Sequence, residues 1–207
     1  MFSFSNIVRT LSILVLLAMA GCAKSSSSTG PDNSGSDVAH LAQGWRDFEG
    51  QQYEAAATEF SGALSNASTS SVRGEALTGR GWTSMYKRNL GSSKADLISA
   101  AGTSGIASSV LADARVGAAF VLYALNDFSS AAAYADTALT SNPSYLFSHD
   151  SKVTAKRVRL LLVQSYYANG QFTQAAAQLD VFDPAHAPHS SDPSALLGSI
   201  NSALSTL

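Results

Sequence analysis

The stretch 44–64, GWRDFEGQQYEAAATEFSGAL, decides the fold. Counted from its aromatic anchor Tyr53, Gly44 lies nine residues before, and Ala56, Phe60 and Ala63 lie three, seven and ten after. Such spacing suits two helices meeting at close range, where a small residue lets the backbones approach and a bulky one fills the gap. Three further segments keep the count. Around Leu90 stand Gly81, Ser93, Leu97 and Ala100; around Phe128 stand Ala119, Ala131, Ala135 and Ala138, then Pro143. Around Phe172 stand Val163, Ala175, Leu179 and Phe182, and the pair Gly44-Trp45 returns as Gly81-Trp82. Ala and Ser each number 34 of 207 residues, about a third of the chain together. Alanine is the best helix former and serine collects at caps and loops, so the reading is all-α.

On these residues the chain resembles the tetratricopeptide repeat (TPR), a helix-turn-helix unit of about 34 residues. The resemblance covers 37–182 and is strongest in 44–64, in ALNDFSSAAAYADTAL (124–139) and in ANGQFTQAAAQL (168–179). It implies a right-handed superhelix of about four units whose first helices line a concave surface. The second unit departs from the pattern, with Ser93 where the family has its most constant alanine. Anchor spacings of 37, 38 and 44 exceed the family period, which places extra residues in loops 65–71, 102–108 and 143–150. Asp192-Pro193 is an N-cap followed by a proline suited to the first helical position. Beyond it Leu196, Leu197, Ile200, Leu204 and Leu207 predict one apolar stripe, so 193–207 reads as a capping helix for the last repeat.

The first 21 residues read as an export signal. Leu11–Met19 is apolar apart from Ser12, too short to span a bilayer and suited to the core of a secretory signal. Met19-Ala20-Gly21-Cys22 resembles the lipobox of bacterial lipoproteins, with Met19 where most members carry leucine. That resemblance implies cleavage before Cys22 and a lipid on its thiol, and the chain has no other cysteine. Read without it, the segment is a plain secretory signal with an incidental cysteine. Two or more acyl chains anchor a protein stably. Ala23, where an aspartate would retain the protein at the inner membrane, implies the outer membrane, facing the periplasm. Residues 22–36, rich in Ser and Gly, read as a flexible tether, and 37–207 as the helical domain.

Little in the chain points to catalysis. Thirteen Lys and Arg against 15 Asp and Glu, a net charge of −2, exclude an ordinary nucleic-acid groove. His186 and His189 flank Pro188, and no nearby Cys or Glu completes a zinc site. Neither a phosphate loop nor a nucleophile elbow occurs, so no catalytic residue, metal or cofactor is expected. The candidate site is instead an inward row on the first helix of each unit: Trp45, Phe48, Trp82, Met85, Tyr86, Phe120, Tyr123 and Tyr167. These side chains read either as a partner-binding groove or as packing between tight helices. Lys152, Lys156 and Arg159 are expected on one basic face opening the fourth unit. The functional expectation is a non-catalytic, membrane-anchored scaffold for a protein or peptide of the cell envelope. The alternative is a lipoprotein that binds a glycan or small ligand.

Overall fold

Four helical hairpins follow one another in the computed structural model of the chain, which describes residues 34–207. They pair α1 (Ser34–Glu49) with α2 (Tyr53–Asn66), α3 (Ser70–Tyr86) with α4 (Leu90–Ala101), α5 (Ser108–Ala124) with α6 (Phe128–Ser141), and α7 (Ala155–Ala168) with α8 (Phe172–Phe182). A short 3₁₀ turn, Pro184–His186, leads to α9 (Pro193–Leu204). The second helix of each hairpin packs on the first helix of the next, and α1, α3, α5 and α7 touch in succession as an inner row. Among the described residues β-pairing is limited to a single bridge between Leu146 and Thr154. No described helix is long and apolar enough to cross a membrane.

Each anchor is the first residue of its hairpin's second helix. Two residues earlier stand Gln51, Arg88, Asn126 and Gly170, with φ of 59°, 62°, 61° and 74°. The residue after each donates its backbone N–H to the carbonyl five positions back: Gln52 to Asp47, Asn89 to Ser84, Asp127 to Leu122 and Gln171 to Tyr166, at 2.7–2.9 Å. A left-handed residue closing a helix in this way satisfies carbonyls left over at the helix end. All four turns are therefore copies of one device, although only the last uses glycine.

The small-and-bulky spacing becomes a set of locks. A Cβ on Gly44 would lie 2.7 Å from the Phe60 ring of the same hairpin, and one on Gly79 of the next hairpin 2.3 Å from it. Leu97 is held alike between Gly81, at 2.5 Å, and Gly117, at 2.8 Å. Phe60 and Leu97 are completely buried. Ser93, in the alanine position, is also completely buried, and its hydroxyl has no hydrogen-bond partner.

Asp192 caps α9 by accepting from the N–H groups of Ser194 and Ala195. Leu196, Ile200 and Ala203 seal α9 against Leu160, Val163 and Leu179 of the last hairpin. The expected stripe is corrected here: Leu197, Leu204 and Leu207 stay exposed, because the buried face follows steps of four and three residues from Leu196. Helix α1 begins at Ser34, so 34–36, expected in the tether, are helical. The signal 1–21, Cys22 and the rest of the tether lie outside the described residues.

Candidate functional site

The connection between α6 and α7, residues 142–154, crosses the inner row. Tyr145 and Phe147 flank Leu146, which bridges to Thr154, and in extended chain such alternate side chains share a face; Ser148 and His149 follow in a turn. Tyr145 and Phe147 are buried, whereas Leu146 is exposed. Phe147 stacks on Trp82 with centroids 4.3 Å apart, and its edge contacts Trp45 and Phe48 at 6.1 Å. His149 stacks flat on Trp45, at 3.7 Å and 2°, and its Nδ1 lies 2.8 Å from Glu49 Oε1. Asp150 accepts from the Tyr86 hydroxyl. The loop base is fixed by the backbone bond from Phe147 to Val153, at 3.0 Å.

Polar groups close the seam. Trp82 Nε1–H donates to the Asp113 carbonyl at 3.0 Å, and Trp45 Nε1–H to Glu75 Oε1 at 3.1 Å. The Tyr145 hydroxyl donates to Asp113 Oδ1 at 2.8 Å. Burial pushes the Asp113 carboxyl up to about 7, against the opposing pull of the Tyr145 bond, and nearby Glu75 adds to the rise. Burial likewise raises Tyr145 and Tyr86, with Asp113 and Asp150 respectively opposing a second negative charge.

The structure divides the inward row. Trp45, Phe48 and Trp82, at 8%, 3% and 1% exposure, lie under the loop. Tyr86 flanks it, with its ring 5.2 Å from Phe48. Tyr123 leans on its own anchor Phe128, and Tyr167 on Phe172, as Phe48 does on Tyr53. These three edge contacts, at 5.3–5.7 Å and 63–64°, repeat one turn-closing pair. Tyr167 also donates its hydroxyl to the Pro193 carbonyl and belongs to the cluster under α9. One continuous stripe is therefore not formed. Met85 and Phe120 remain half-buried beside the loop, and Tyr123, one turn beyond Phe120 in α5, is half-buried as well. Trp82, Met85, Tyr86, Phe120, Val153 and Arg157 line an open cleft there of about 280 Å³.

The basic face is also corrected. Lys152 lies in the loop, before the Thr154 cap of α7. Lys156 sits 4.8 Å over the Phe182 ring, and Arg159 reaches Gln178 of α8. Both C-terminal histidines engage aspartates, His186 with Asp183 and His189 with Asp180, each at 2.8 Å. Among the described residues no three His, Cys, Asp or Glu side chains converge as metal ligands do. Residues missed in the sequence are Tyr145, Phe147, His149 and Asp113; the aromatic pair flanking Leu146 was the available signal for the first two.

The hairpin stack is shared with a solved structure, that of PilF from Pseudomonas aeruginosa, a TPR-containing protein. The two superpose with a TM-score of 0.59 at 15% identity, over 82% of this chain and 72% of that one. No protein-family model matches the chain, and no curated protein matches it. The fold is TPR-like. At this level of identity the likeness concerns architecture alone.

Proposed function

We propose that the chain is a non-catalytic scaffold, lipid-anchored through Cys22 at the outer membrane and facing the periplasm, that holds a segment of another envelope protein. The observation that supports this reading most directly is the cleft beside the loop. A stacked array of hairpins presents a preformed surface, and half-buried Met85 and Phe120 leave apolar area there uncovered, with Tyr123 one turn beyond Phe120 on α5. Large, rigid aromatic side chains are favoured anchors for protein partners. A photocrosslinking residue at Tyr123 in intact cells, with mass spectrometry of the adducts, tests the reading. One recurrent protein adduct at Tyr123, missing from the same probe at the exposed Leu125 beyond the end of α5, is the expected result. Adducts absent at both positions overturn the scaffold. Mass spectrometry of the mature N-terminus tests the anchor separately, and an unmodified Cys22 overturns it.

A specific feature favours the second reading, a binder of glycans or small ligands. A cavity of about 630 Å³ with mixed polar and apolar walls opens between α7, the 184–190 connection and α9, lined by Lys156, Phe182, His186, His189, Ser199 and Ser202 among others. A glycan-array hit lost in Phe182→Ala, with no protein adduct at Tyr123, would select that reading over the scaffold.

A further inference from the structure

The cleft beside the loop carries a charge that the fold does not neutralise. Arg157 stands in the first turn of α7, where its backbone N–H is bonded to the Thr154 hydroxyl. Arg157 lines the cleft with Met85, Phe120 and Val153. Among the described residues it takes part in no ion pair and donates no side-chain hydrogen bond. Asp150, the acid of the neighbouring loop, accepts instead from the Tyr86 hydroxyl and the Lys152 backbone N–H. The position is also unfavourable for a cation, since a helix carries partial positive charge at its N-terminus. Placed there without a direct ion-pair partner, Arg157 adds to that field, and both attract an anion to the cleft mouth.

The apolar part sets the size of what enters. At about 280 Å³ the cleft is smaller than the pockets that enclose whole small molecules and has room for one large side chain. Its walls are thioether, aromatic rings and valine. We infer that the cleft docks an acidic–apolar segment of a partner protein, one large apolar side chain entering between Met85, Phe120 and Val153 while a neighbouring carboxylate pairs with Arg157. This rests on the scaffold reading and names the chemistry of its partner. Arginine matches a carboxylate with two parallel hydrogen bonds, so the pair would fix the segment's register as well as its sign.

An array of short peptides probed with the full chain in detergent tests this. It varies a Phe, Leu or Trp next to Asp or Glu, with Asn and Lys replacing the acids as controls. Selection of acidic–apolar peptides is expected, with affinity falling as salt rises. Arg157→Gln should weaken the selected peptides about tenfold and flatten the salt dependence, while Arg157→Lys retains part of both. Phe120→Ala should weaken binding and leave the salt dependence intact, and Arg73→Gln, exposed near the start of α3 at the opposite end from Met85, should bind as the native chain does. Helical circular dichroism checks that each variant is folded. Selection without acids, salt-independent binding, unchanged affinity in Arg157→Gln, or no selection at all overturns the inference. In those cases a Tyr123 adduct in cells still leaves the scaffold standing; without the adduct both fall.

Discussion

Ser93 and Asp113 show how single buried groups set local stability. The Ser93 hydroxyl is fully enclosed, without a hydrogen-bond partner. A buried polar group left unpaired costs roughly 1–3 kcal/mol, so Ser93→Ala should raise stability by about 1 kcal/mol, read as an increased urea midpoint at unchanged slope. Asp113 acts through protons. Its carboxyl titrates near 3.8 when unfolded and at about 7 when folded, so between these values the folded state holds a proton that the unfolded chain has lost. That proton favours folding, and the Asp113 contribution therefore declines as pH rises from about 4 to 7 and is flat beyond. Asp113→Asn keeps an acceptor for Tyr145 and cannot ionise. Subtracting its stability profile from that of the native chain should leave a curve falling across this window, and a flat difference would refute the assignment.

At the scale of helices, the close approach between hairpins depends on glycines facing a single ring. Gly79 on α3 leaves no room for a methyl group against Phe60, since the nearest ring atoms are 2.3 Å from its Cβ position. Overpacking a tight core costs about 1–3 kcal/mol, so Gly79→Ala should destabilise by that amount, although alanine is the better helix former. Thermal unfolding followed at 222 nm reads it. A compensating Gly79→Ala/Phe60→Leu pair should recover part of the loss, because the smaller side chain vacates the space; additive losses would show that the two do not act through one contact.

Across the whole molecule, the loop 142–154 joins units that the hairpin order keeps apart. Phe147 meets Trp82 and Trp45, residues 65 and 102 positions earlier in the chain, and His149 covers Trp45. Replacing a completely buried phenylalanine with alanine costs about 3–5 kcal/mol, and Phe147→Ala should lose that much. Because Trp45 and Trp82 lie under the loop, the same variant should shift native-state tryptophan emission to longer wavelength before global unfolding. An unshifted spectrum would mean that the rings are sheltered by the helices alone. Whatever binds on the inner row meets this loop as a wall, and the cleft on its Arg157 side stays open.

Local spacing in the amino-acid sequence determined the hairpins: helix periodicity and small-against-bulky pairing act between residues close in the chain, so Gly44 with Phe60 and Gly81 with Leu97 could be read directly. The Asp192-Pro193 start of α9 was legible for the same reason. Left-handed turns at Gln51, Arg88 and Asn126 were not, because side chains other than glycine occupy them and the closing hydrogen bonds belong to the backbone. Tertiary structure alone decided the fate of the inward aromatics. Whether Trp45 and Trp82 face solvent depends on a segment about 65–100 residues away, whose own alternation fixes which rings point together but not which surface they meet. Arg157 carried no distinguishing signal in the sequence, and packing decided its role by engaging Lys156 and Arg159 with α8 and leaving Arg157 at the cleft without an ion pair.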